Sequence, residues 1–124
     1  TSVFAIQPEF DAVGNFLESL NKFLALPEDT LVLPSHGKPF RGLHHRIAQL
    51  HAHHAERLAE VRQACSTAPH SAADIVPLMF PRALDAHQLS FAMGEALAHL
   101  HRLWYAGELT RHKDEDGVMR FSCV

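Results

Sequence analysis

The chain has 124 residues, 47% of them hydrophobic and 20% charged, with a formal net charge of -3 at pH 7. That balance suits one ordinary globular domain with a core, and the weak negative charge excludes a general pull toward nucleic acid or acidic lipid. No apolar run is long enough to span a membrane, and no signal peptide is visible. Histidine is the anomaly, at 11 residues, so the charge of the chain depends on pH more than usual. Cys65 and Cys123 lie far apart, in no metal-like spacing. They read as two buried free thiols of a reducing, cytoplasmic compartment. The chain opens mid-pattern on "TSVFAIQ" without an initiator methionine, which reads as a piece of something longer.

"TSVFAIQ" is apolar and partly β-branched, and suits a strand or an ordered loop. Pro8 then opens a helical pattern, with Val13, Phe16, Leu17, Leu20, Phe23 and Leu24 at three- and four-residue steps on one face. "LPEDT" (Leu26 to Thr30) breaks that helix, and "LVL" (Leu31 to Leu33) reads as a short buried strand. "PSHGKPF" follows. After Gly42 a long helix runs to about Cys65, with Leu43, Ile47, Leu50, His54, Leu58 and Val61 on one face. Ser71 and Asp74 form a capping-box start for a short helix, which Pro77 keeps short or bent. Asp85, with Gln88 three residues on, caps a third helix whose stripe is Leu89, Met93, Ala96, Leu97, Leu100 and Trp104. Gly107 ends it. The tail reads as a hairpin, with strands near Leu109–His112 and Val118–Cys123 about a turn at "DEDG". Three helices and then a hairpin is the order of a winged helix. The chain therefore divides into residues 1–40, a helix and strand that need a larger partner, and residues 41–124, a complete small domain.

A strand ending in "PSHG" presents His36 at the carboxyl edge of a sheet, a common place for ligand chemistry in α/β folds. Pro34 and Pro39 stiffen the turn and Gly37 lets it be sharp. An imidazole held this way loses little entropy on binding a metal, but zinc needs three or four ligands and one histidine supplies one. "HAHHAE" (His51 to Glu56) is a decoy. His51 and His53 point to different faces of a helix, and no pair has the i, i+4 geometry of helical two-histidine sites. The segment reads as a solvated helix with His54 partly packed. The polar residues of the third helix, including His87, Gln88, Glu95, His99, His101 and Arg102, make no basic stripe, and the hairpin tip "KDEDG" is acidic. Nucleic-acid binding is therefore disfavoured. Neither a glycine-rich phosphate loop nor a G-x-S-x-G motif is present.

The stretch "LVLPSHGKPFRGLHHRIAQLHAHHAERL" (Leu31 to Leu58) resembles the end of the metallo-β-lactamase fold in hydrolases that carry a C-terminal winged-helix domain. The helix "FDAVGNFLESLNKFLAL" before it is similar, as are "SAADIVPLMFPR" and "HQLSFAMGEALAHLHRLWYAGEL" after it. The resemblance covers nearly the whole chain, and the turn together with the following helix is its specific part. It implies a mainly α chain: the terminal helix and strand of a metallo-β-lactamase fold over residues 1–40, then a winged helix of three helices plus a β-hairpin over residues 41–124.

The resemblance also implies that His36 falls where the last ligand of a binuclear zinc site lies. No other site residue carries over. The His-x-His-x-Asp-His motif, the middle histidine and the bridging aspartate belong upstream, and Asp11, placed within the first helix, does not match the aspartate. The implied function is metal-assisted hydrolysis of a thioester, a phosphodiester or a related bond by the longer protein, with zinc bound there and not by this chain alone. The implied partner is a missing N-terminal metallo-β-lactamase domain, and the winged helix would shape substrate access or support a homodimer. The alternative is a free-standing winged-helix module that binds nucleic acid or protein.

Overall fold

The computed structural model describes residues 1–124 and contains four α-helices and one two-stranded sheet. Helix α1 covers Ala12–Asn21 and continues as a 3-10 turn over Lys22–Ala25. Helix α2 covers Leu43–Thr67, α3 Ala72–Met79 and α4 Ala86–Tyr105. Strands β1 (Leu109–Lys113) and β2 (Met119–Cys123) pair antiparallel, in a register that sets Leu109 opposite Cys123 and Lys113 opposite Met119. The three helices followed by a hairpin stand where the hydrophobic period and the caps put them.

Each helix end has a physical cause. The Asp11 carboxylate accepts the Gly14 N–H at 2.8 Å, so α1 begins at Ala12 and not at Pro8. Asp11 is thus a cap and lies outside the helix body. Helix α2 has no side-chain cap of its own. Its first donors go instead to Glu28: the Leu43 N–H reaches the Glu28 carbonyl at 3.3 Å and the His44 N–H its carboxylate at 2.8 Å. Helix α3 has both halves of the Ser71/Asp74 capping box, and α4 both halves of the Asp85/Gln88 box. Pro77 sits inside α3, which ends two residues later. Helix α4 closes with a Schellman pair: Glu108 N–H to the Leu103 carbonyl at 2.9 Å, and Gly107 N–H to that of Trp104 at 3.0 Å.

The main core joins α2, α3, α4 and the hairpin through Val61, Cys65, Ile75, Met79, Leu100, Leu103, Leu109 and Phe121. Strand β2 is tied on its other edge as well, because His70 and Phe121 exchange backbone bonds of 2.9 and 2.8 Å. The stripe on α4 is narrower than its sequence suggests. Leu89 is exposed, and Ala92, Ala96, Leu100 and Leu103 carry the packing. A smaller cluster of Val3, Ala12, Val13 and Ala98 fixes the first residues against α4. "TSVFAIQ" is an ordered loop there, with the Val3 N–H bonded to the Gly94 carbonyl at 3.0 Å. Gly94 permits this approach, since a Cβ at that position would come within 3.1 Å of the Ser2 Cβ and 3.2 Å of the Val3 carbonyl oxygen.

"LVL" is not a buried strand. Leu31 is 52% and Leu33 74% exposed, and only Val32 pairs, with Phe40, in an isolated antiparallel bridge. Strand-like residues need a neighbouring strand to bury them, and no second strand lies beside these. His36 accordingly does not stand at the edge of a sheet within this chain.

Candidate functional site

Val32 and Phe40 exchange N–H···O bonds of 2.8 and 3.1 Å, closing Leu33–Pro39 into one loop. His36 lies at its exposed tip, just before Gly37 at φ 93. A side chain at Gly37 would meet no steric neighbour, but that backbone conformation disfavours every L residue. The loop is therefore held by its glycine, its two prolines and its closing pair. His36 makes no hydrogen bond to the rest of the chain, so both ring nitrogens are free to bind.

A zinc ion takes three or four protein donors. The loop offers one, and no group of three or more His, Cys, Asp or Glu side chains is arranged to hold a metal anywhere in the chain. The residues present do not by themselves fit a zinc site. Beside the loop, Phe23, Leu26, Val32, Phe40 and Ile47 line an apolar groove of about 440 Å³. Phe23, Leu24, Leu26, Leu31 and Leu33 are exposed around it. The loop meets this groove through Pro34 and Phe40, on either side of His36.

The other histidines divide by burial. His51 bonds Asn21 Oδ1 at 2.9 Å and joins α2 to the end of α1. His53 is exposed. His54 is only 8% exposed, with its Nδ1 3.4 Å from His99 Nε2 and its ring edge-on to Phe16 at 5.6 Å. The Glu95 carbonyl lies 2.8 Å from His99 Nδ1. A carbonyl can only accept, so His99 donates there and accepts from His54 through Nε2. Burial, with His99 and His53 beside it, pushes His54 down to about 4. Burial also lowers His99, against the opposing bond to Glu95. His101 is lowered by burial too, and its Nδ1 faces the Phe10 carbonyl at 3.3 Å. Burial thus favours the neutral form of all three rings, which serve as packing groups.

His99 and His101, counted above among the polar residues of the third helix, are buried and unavailable to a groove of DNA. The signal for His99 was in the spacing: 92, 96, 99 and 103 form one helical stripe. Arg102 is also engaged, in an ion pair with Asp11 at 3.0 Å. "HAHHAE" is a helical segment of α2 with one buried member, as its spacing suggested.

A family model described as "Metallo-beta-lactamase-like, C-terminal domain" matches residues 58–124. Among solved structures, the chain is similar to a beta-lactamase domain protein from Burkholderia ambifaria, at 58% identity and a TM-score of 0.97 over 100% of this chain. It is also similar to a metallo-beta-lactamase family protein from Thermus thermophilus, at 26% identity and a TM-score of 0.81 over 99% of this chain. The chain spans 37% of the length of the first and 36% of the second. No curated protein sequence matches it.

Proposed function

Because the chain belongs to the family of metallo-beta-lactamase-like C-terminal domains, we propose that it is the C-terminal part of a longer metal-dependent hydrolase of metallo-β-lactamase fold. Residues 1–40 are the end of the catalytic domain in this reading, and residues 41–124 are an appended winged helix. The missing N-terminal domain lies against the apolar groove and supplies the strands that Leu31–Leu33 lack. His36 supplies one neutral imidazole to a zinc site whose other donors are upstream. The substrate carries a hydrolysable thioester, phosphodiester or related bond, and the winged helix borders the site.

One observation carries the reading. A stiff loop with a free imidazole at its tip adjoins an uncovered apolar face, in a chain similar over its full length to a beta-lactamase domain protein that is much longer. Elementary packing supports it: large apolar side chains gathered around one groove normally mark a contact surface. The test is elemental analysis of the longer protein, wild type and His36→Ala. The variant is expected to hold less zinc and to lose hydrolytic activity, while the 124-residue chain alone retains little zinc after gel filtration. Equal zinc content and equal activity in the variant would refute the role of His36.

A further inference from the structure

We propose that Cys65 and Cys123 are a redox-reactive pair, converted by a low-molecular-weight disulfide such as oxidised glutathione into an intramolecular disulfide that ties β2 to α2. The two residues are 58 positions apart (123 minus 65), yet the fold brings them to one place. Side chains on a strand alternate between faces. Phe121 is fully buried, so Cys123, two residues on, shares its inward face. The Cys123 sulfur lies 3.7 Å from the Arg62 carbonyl oxygen on α2. Cys65 is three residues beyond Arg62, one turn along the same side of that helix. It is 2% exposed, inside the core cluster against which Cys123 packs. Cα atoms joined by a disulfide are roughly 4.4–6.8 Å apart, and one turn of helix rises about 5.4 Å. Cys123 therefore packs over the turn of α2 that runs from Arg62 to Cys65, and closing the bridge brings the two Cα atoms into the disulfide range. The pair lies at the far end of α2 from the His36 loop, about 33 Å along the helix. It is independent of the proposed zinc site.

The chemistry balances with the oxidant named. Cys123 is half-buried and is the thiol a solute can reach. Its thiolate attacks one sulfur of oxidised glutathione. A Cys123–glutathione disulfide forms, and the departing glutathione thiolate takes up a proton. The Cys65 thiolate then attacks the Cys123 sulfur and expels the second glutathione. Two protein thiols lose two electrons and two protons, and one glutathione disulfide becomes two thiols. Burial, with Cys123 nearby, pushes the Cys65 thiol up to about 11. The second step is therefore slow at neutral pH and gains roughly tenfold per pH unit while the thiolate is scarce.

The test treats the folded chain with oxidised glutathione from pH 7 to pH 9, quenches in acid, and alkylates in denaturant before mass spectrometry. The expected product is a monomer two hydrogens lighter, with no alkylatable thiol and a linked Cys65–Cys123 peptide, formed faster as pH rises. Cys65→Ala, or Cys65→Ser if the alanine variant does not fold, should stop at the glutathione adduct on Cys123. A wild-type adduct that persists on Cys123 while Cys65 remains alkylatable would overturn the proposal. So would cross-links found only between chains, or two unmodified thiols at every pH.

Discussion

His54 and His99 show how far single residues could be read from the sequence. The periodicity of α2 marked His54 as facing the core. The same argument applied to α4 would have found His99, but a histidine on a third helix invites a surface reading. What decides the matter is tertiary: the Glu95 carbonyl and the two rings satisfy each other's polar atoms, so burial leaves no orphan donor. His36 was legible as a stiff turn residue from Pro34, Gly37 and Pro39. Its lack of partners was not, because that depends on what surrounds the loop. The buried imidazoles make stability depend on pH. An unfolded chain protonates His54 near 6.5, whereas the folded chain resists until about 4. The stability this neutral ring contributes is complete above pH 6.5 and is lost as pH falls from 6.5 toward 4. At 1.36 kcal/mol per pH unit the loss from His54 is roughly 3 kcal/mol, and burial shifts His99 and His101 in the same direction. Urea unfolding across that range should show the midpoint falling with acid. His54→Leu should flatten the curve, and an unchanged slope would contradict the assignment.

The elements were legible wherever the signal was local. Ser71/Asp74, Asp85/Gln88, Gly107 and the "DEDG" turn place three helix ends and a hairpin because each acts through its immediate neighbours. The misses were the ends and the strand governed at a distance. Nothing near Gly42 says that Glu28 caps α2, and nothing in "LVL" says whether a partner strand exists. Asp11 belongs with the local caps, since its carboxylate accepts the N–H of the residue three positions on. The local caps give a direct check. Ser71 exchanges bonds with Asp74, accepting its N–H at 3.3 Å and donating to its carboxylate at 2.8 Å. Ser71→Ala should cost about 1 kcal/mol in chemical unfolding. Gly94→Ala examines the packing of the first residues on α4. It should be destabilising although alanine favours helix, because the added methyl group presses on Ser2 and Val3. Faster amide exchange at Val3 in that variant would show the segment loosening. A variant more stable than wild type would mean that the segment gives way without cost.

At the scale of the whole molecule, two surfaces have opposite characters. The cluster of α2, α3, α4 and the hairpin closes on itself around Phe121 and Ile75, both fully buried. The face around Phe23, Leu24, Leu31 and Leu33 stays open. Composition could not reveal that difference, because it counts apolar residues without saying which are covered. An open apolar face promotes association, so the isolated chain should show a mass that rises with concentration in light scattering. Leu31→Lys combined with Leu33→Lys should suppress that rise, and a monomer at every concentration would show that the face tolerates water. In the longer protein this face is proposed to be internal, with the His36 loop at a zinc site beside it. The most direct measurement is anomalous diffraction at the zinc edge from crystals of that protein. The expected result is a peak about 2.0–2.1 Å from a ring nitrogen of His36. A zinc peak coordinated entirely by other residues, or no zinc within reach of the loop, would contradict the central claim.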